Sequence, residues 1–393
     1  MTDRKIATEK VQKTMVQAAQ CPVHRTEDGT WHVYSQEVAR NVLRQDAHQA
    51  GFGADLMSKT MPSYMEMPLL YQSGEKHREN RKELARFFTP TTVRDKYTQM
   101  MNACADALIA EFRQKRRVQL SDFTLEMAVR VASAVVGLTN SNLSHMAIHL
   151  AALVKSDLTQ KSWVERMRSQ YHLGAFFLGH VRPAIRARKK QPTDDVISHL
   201  IAKGYKDTEI LTECIMYGTA GMVTTREFLC VAVWHFLENP ALREQFLHAE
   251  EAERRKILHE LLRLEPVVSN LMRRPVEAVN ALTPAGTAVI QPGDLVNIHL
   301  HAVNADERVV GENPHNVCPA RVLPAKVSDS VMAFGDGSHR CVGEFLALQE
   351  CDIFLQKFLA LPTLRMESQP KVTWNPTISG YEVEAFWVTL DPA

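Results

Sequence analysis

The sequence predicts a mainly α-helical chain with small β-sheets, an α+β architecture built as a single domain over residues 1–393. Three observations predict it. Apolar residues recur at helical spacing through most of the stretch between Glu75 and Leu264. One helix, from Asp207 to Glu238, has about 30 residues and a length of about 45 Å, so it must cross the whole core. Strand-like runs are short and lie near the N-terminus or after Pro266.

Taken in order, Thr30 to Tyr34 reads as a short strand, and Ser35 is placed to cap a helix reaching Arg44. Residues 49 to 74, rich in Gly, Met, Ser and Pro, read as a long loop, a feature usually tied to function in compact domains. Glu75 to Phe88 is helical and stops at Thr89-Pro90. Val93 to Arg188 is helical with breaks near Arg116, Gly137 and Pro183. Asp207 is the expected N-cap of the long helix, which Asn239-Pro240 closes. A further helix covers Ala249 to Leu264. Gln291-Pro292-Gly293-Asp294 turns between two short strands, and residues 302 to 330 are irregular. Helix returns from Cys341 to Leu359, and the last 25 residues form a small sheet with a turn near Asn375-Pro376.

Lys and Arg number 46 against 45 Asp and Glu, a net charge of +1, which argues against a broad nucleic-acid-binding face. No apolar run has the length of a membrane span, and MTDRKIATEK lacks a signal-peptide core, so a cytoplasmic protein is expected. The seven cysteines are scattered and contain no C-x-x-C, so neither a disulfide framework nor a structural zinc site is expected.

One cysteine stands apart. In Phe334-Gly335-Asp336-Gly337-Ser338-His339-Arg340-Cys341-Val342-Gly343, the glycines allow a tight loop and Cys341 opens a helix. A helix N-terminus, with Arg340 and His339 adjacent, favours thiolate over thiol. A lone thiolate in such a loop suits an axial ligand of haem iron. The competing reading is a Gly-rich turn that happens to hold a Cys.

The segment closely resembles the haem-binding signature of the cytochrome P450 family, F-x-x-G-x-[HR]-x-C-x-G, with Phe334, Gly337, His339, Cys341 and Gly343 at its fixed positions. The resemblance implies a cytochrome P450-like fold with a long central helix over haem b (iron protoporphyrin IX). It implies Cys341 as the iron ligand, with Phe334, Gly335 and Gly343 around it and His339 at a propionate. Glu260 and Arg263 match the family's E-x-x-R, and Arg321 matches the later arginine of a buried structural triad. His77 and Arg81 share a helix face at i,i+4. The resemblance gives them a propionate, against the plainer reading of a solvated basic stripe. Arg273, or its neighbour Arg274, matches a further propionate arginine.

Ala220-Gly221-Met222-Val223-Thr224-Thr225 resembles the family's A-G-x-[DE]-T-T, which implies Gly221 and Thr224 as catalytic groups at the oxygen site. Without the resemblance, Thr224 reads as a threonine bonded back to a helix carbonyl. Val223 stands where the family has an acid. Glu227, one turn on and beside Arg226, is the candidate substitute. The resemblance implies a monooxygenase that inserts one atom of O2 into a small, largely apolar molecule, as in secondary metabolism. The stretches 61–70, 217–224, 267–271 and 377–379 are expected to line its pocket, with Met65, Met222, Val268, Asn270 and Ile378 as substrate contacts and Met61 and Met67 as further soft surface. The chain has no flavin or nicotinamide fingerprint, so electrons are expected from a ferredoxin or flavodoxin docking near Cys341. A monomer without nucleic-acid or membrane partners is expected. Two alternatives follow from Val223 and from the fold: a peroxide-driven, nitrating or coupling enzyme, and a non-enzymatic haem sensor.

Overall fold

The computed structural model describes residues 22–60, 65–154, 162–283 and 286–391. Helices dominate it, and they pack a large apolar core around the long central helix. A second, smaller core lies under a mixed sheet built from both ends of the chain. No helix of the described residues is long and apolar enough to cross a membrane.

That sheet has five strands, β1 (Val23–Arg25), β2 (Trp31–Val33), β3 (His48–Gln49), β4 (Asn270–Arg274) and β5 (Val296–His299), in the order β1-β2-β5-β4-β3. β2 and β5 are parallel, Trp31 opposite Val296, and the other pairs are antiparallel. Residues 22–34 are thereby fixed against a segment more than 250 positions later, a pairing that no local signal announces.

The main core is helical. α1 (Gln36–Leu43) follows Ser35, whose side chain makes no cap bond to it. α2 (Gly74–Ala85) ends in a 3-10 turn at Arg86–Phe88. The expected loop at 49–74 also contains a helix at Ala54–Thr60 and a 3-10 turn at Leu69–Tyr71. The breaks at Arg116 and Gly137 are left-handed residues with φ of 58° and 101°. Pro183 makes no break. The chain stays helical from Trp163 to Lys190, and a π-helical turn at Phe177–Val181 widens it just before the proline.

The long helix is α3 (Asp207–Gly218), a π-helical turn at Thr219–Val223, and α4 (Thr224–Glu238). Its N-cap is Lys206 rather than Asp207, because Glu209 reaches back to accept the Lys206 N–H at 2.7 Å. Single π turns inside α-helices often mark functional sites, and this one falls on Ala220-Gly221. α5 (Glu251–Leu264) and α6 (Glu344–Leu359) pack against each other and the central helix. α6 starts three residues after Cys341 rather than at it. The region 302–330, expected to be irregular, holds a short helix at Glu307–Val310. The C-terminal hairpin, β6 (Lys371–Asn375) and β7 (Gly380–Glu384), turns at 376–379 as expected.

Candidate functional site

The cysteine loop is built by close contacts that only glycine permits. Gly335 and Gly337 have φ of +72° and +68°. A Cβ on Gly337 would lie 1.9 Å from the Leu43 carbonyl oxygen, so the loop rests directly on the end of α1. Asp336 pins it there, accepting the Gly337 N–H at 2.7 Å and pairing with Arg44 at 3.1 Å. The Cys341 N–H bonds the Phe334 carbonyl at 2.8 Å, closing the loop. Arg340 turns away from the sulfur to Glu344 at 2.6 Å and Ser328 at 3.0 Å. Arg81 of α2 donates to the Arg340 carbonyl.

Among the described cysteines, Cys341 alone is exposed. Yet protein surrounds it: burial pushes its thiol up, against the Gly343 N–H and the charges of Arg81 and Arg340. A side chain surrounded by protein yet with open surface faces an internal gap. Burial thus works against the thiolate that the loop position and its basic neighbours favour. The helix starts at Glu344, so its help comes through the N-cap Gly343 N–H, and His339 adds no charge, since burial and the neighbouring Arg273, His77 and Arg81 push it down to about 3. A cation bound at the sulfur would offset that cost of burial, as for metal ligands generally.

The surroundings fit haem on chemical grounds. The rings of His77 and His339 stack at 4.2 Å, and His77 Nδ1 and His339 Nε2 are buried with no partner among the described residues. Arg273 is 4% exposed, and its bonds go to Gln49 and the Met272 carbonyl. Arg274 turns outward, toward Asp55 and Gly293, which separates the two candidate arginines. Orphaned buried polar atoms call for a partner. Two ring nitrogens, Arg273 and Arg81 suit the carboxylates of a group held by one sulfur. No cluster of three or more His, Cys, Asp or Glu among the described residues suits a metal held by side chains alone.

On the central helix Ala220 is exposed while Met222 and Val223 are buried, so the π turn opens one patch of helix surface. A Cβ on Gly221 would meet only Ala132, at 3.7 Å. The Thr224 hydroxyl donates to the Ala220 carbonyl at 2.5 Å, so it is bonded within the helix here. Glu227 does not reach this patch. It is 0% exposed, accepts the Val383 N–H at 2.7 Å and pairs with Arg226 at 2.7 Å. A carboxylate with no free surface cannot meet water or substrate, so its expected role as substitute acid is corrected to that of an anchor for β7.

The expected substrate contacts divide. The C-terminal turn does meet the 267–270 segment: the Ser269 and Asn270 N–H groups donate to the Ser379 carbonyl at 2.9 and 3.2 Å, and Val268 bridges Gly380. Val268, Asn270 and Met65 are half-buried, whereas Met222 and Ile378 are 1% and 2% exposed and fill core. Met61 lies outside the described residues. Glu260, Arg263 and Arg321 come together: Arg263 donates to both Glu260 oxygens at 2.7 and 2.8 Å, and Arg321 joins at 3.1 Å.

Sequence reasoning missed the acidic face of α3. Glu209 and Glu213 are 5% and 3% exposed, and the Tyr217 hydroxyl beyond them is buried with no partner among the described residues. Their i,i+4 spacing was the available signal.

The Cytochrome P450 family model matches residues 254–379. The chain is 26% identical over 309 residues to the Biotin biosynthesis cytochrome P450 of Bacillus subtilis (strain 168), covering 76% of this chain and 74% of that protein. It is 25% identical over 329 residues to the Steroid C26-monooxygenase of Mycobacterium tuberculosis (strain ATCC 25618 / H37Rv), covering 79% and 77%. The crystal structure of CalO2 superposes with a TM-score of 0.83 at 17% identity, over 98% of this chain and 97% of that one.

Proposed function

We propose, for a chain that belongs to the cytochrome P450 family and is a haem-thiolate monooxygenase, that Cys341 is the iron ligand and that the substrate is a small, largely apolar molecule. The observation that carries the assignment is Cys341, the one exposed cysteine among the described residues, enclosed by a glycine loop and flanked by two buried ring nitrogens with no partner among those residues. Haem, when bound, supplies the oxygen chemistry, by which one atom of O2 enters the substrate and the other leaves as water. The protein's part is to hold, orient and exclude. Cys341 would supply the sulfur that holds the iron. His77, Arg81, His339 and Arg273 hold the propionates, and Phe334, Gly335 and Gly343 shape the loop around the sulfur. Gly221 leaves room at the π turn. Thr224, whose hydroxyl already sits on the Ala220 carbonyl, can exchange that bond for one to a ligand in the gap.

Val223 carries no proton and Glu227 is tied off, so protons reach Thr224 through water or through the substrate. That arrangement favours, as a second reading, a P450 with an atypical outcome such as peroxide use, which product analysis under labelled O2 separates from ordinary insertion. Electrons come from a separate ferredoxin-type protein. A cavity of about 460 Å³ adjoins the cysteine loop, lined by Arg40, Arg44, Lys326 and Arg340 but also by Asp329, Asp336 and Glu344, with Asp336 paired to Arg40 and Arg44 and Glu344 to Arg340, so any docking of an acidic donor there rests on a slight excess of basic groups.

The test is spectroscopic. Protein expressed with ample haem precursor is expected to be coloured, with a red-shifted Soret band in its carbonyl adduct. Cys341→Ser is expected to abolish that band. Retention of the band in the variant overturns the assignment.

A further inference from the structure

Two carboxylates that the proposed chemistry leaves idle hold the chain in front of it. Glu209 and Glu213 lie one turn apart on one face of α3. Glu209 Oε1 accepts the Glu66 N–H at 3.0 Å, and Glu213 Oε1 accepts the Leu69 N–H at 2.9 Å. The same segment is tied by Lys76 to Glu66 at 2.6 Å, by Gln72 to the Met67 carbonyl at 2.6 Å and by the Tyr71 hydroxyl to the Phe52 carbonyl at 2.6 Å. Residues 65–71 belong to no sheet, so their amides need partners from elsewhere. The segment leads directly into α2, which carries His77 and Arg81, while α3 runs on into the open patch at Ala220. It therefore bridges two walls of the site.

We infer that Glu209 and Glu213 are positioning residues that clamp the 65–71 segment across the pocket, and that the clamp at Glu213 is linked to proton uptake. The inference rests on reading the gap beside Cys341 as the haem and substrate pocket. Glu213 faces Leu69 of the segment, Tyr205 before α3, and Cys214 and Tyr217 on its own helix, with Arg81 beyond Tyr217 and with Glu66 and Glu209 on Tyr205 beside it. Burial pushes Glu213 up to about 7, against an ordinary value of 4.5 once the segment lets go and water enters. The closed state therefore holds the proton more firmly. The clamp is tight at low pH and loosens as pH rises through 7. Linkage between those values makes release about tenfold more favourable at pH 8 than at pH 6.

The experiment is hydrogen exchange of residues 65–72 in the haem-loaded full chain at both pH values, corrected for the intrinsic rate. Wild type is expected to lose about tenfold of its protection between pH 6 and pH 8. Glu213→Gln, which keeps an acceptor without a charge, is expected to stay protected at both, and Glu213→Ala to be unprotected at both. Glu209→Ala is expected to loosen the Glu66 end. Equal protection in all four proteins, a flat wild-type profile or a glutamine variant that titrates like wild type overturns the inference. Should the alanine variant not fold, the glutamine variant decides alone. The carbonyl-adduct spectrum of each sample reports the cysteine assignment separately, so the two failures look different.

Discussion

Glu260 and Glu227 are both buried carboxylates on core helices, each touching an arginine, and they tie different parts of the fold together. Glu260 receives Arg263 twice, Arg321 and the Cys318 N–H. Arg263 in turn donates to the carbonyls of Pro314 at 2.7 Å and Asn304 at 3.0 Å. Asn304 passes the constraint on, accepting the Met332 N–H at 2.9 Å two residues before Phe334. Glu227 pairs with Arg226 and accepts the Val383 N–H, and Arg226 also lies 3.9 Å from Glu382 while its Nε has no acceptor among the described residues. The first cluster is a closed network that sets the approach to the cysteine loop. The second fastens a hairpin to a helix.

The largest effect is expected where the network is closed. Glu260→Ala leaves two buried guanidinium groups without their carboxylate. Breaking such a group costs about 3–5 kcal/mol. Thermal denaturation of the haem-loaded protein measures the loss, and a change near zero would dissolve the distinction between the clusters.

The unequal legibility of these sites has a physical basis. Glu260 and Arg263 lie within one helical turn, so their pairing is written in local spacing, and the glycine loop around Cys341 is contiguous in sequence. Gly337 was legible as a tight turn, though not as the point where Leu43 presses on it. Glu227 was misread because its partner is the Val383 amide, 156 positions away. The burial of Cys341 was hidden for a related reason: helix position and adjacent basic residues were visible, whereas burial is a property of the assembled interior. Arg273 was separable from Arg274 only once β4 gave each residue a face. Glu209 and Glu213 drew no attention because the amides they serve lie on a segment without periodicity.

Glu350 sharpens the comparison by lacking any arginine at all. It is 3% exposed on α6, its Oε1 has no partner among the described residues, and burial alone pushes it up to about 8. Its folded value lies above the ordinary 4.5, so the stability it allows is complete below 4.5 and is lost as pH rises toward 8. Between pH 4.5 and pH 6 that loss is about 2 kcal/mol. Glu350→Gln is expected to remove this slope in denaturant unfolding followed across the pH range. An unchanged slope would mean that Glu350 has a compensating partner after all.

The smallest effect is expected at Glu227, and it separates anchor from acid. Glu227→Ala strands the Val383 N–H and leaves Arg226 with a distant carboxylate, a loss of about 1–3 kcal/mol. A hairpin anchor predicts that this loss appears in the denaturation midpoint while the product formed per reductant consumed stays at the wild-type level. A proton donor predicts the reverse, intact stability with reductant diverted from product. Because Glu227 has no exposed surface, only a rearrangement of β7 could bring it to the Ala220 patch, and such a rearrangement would break the Val383 bond first. Stability and coupling measured on one preparation therefore decide between the two roles.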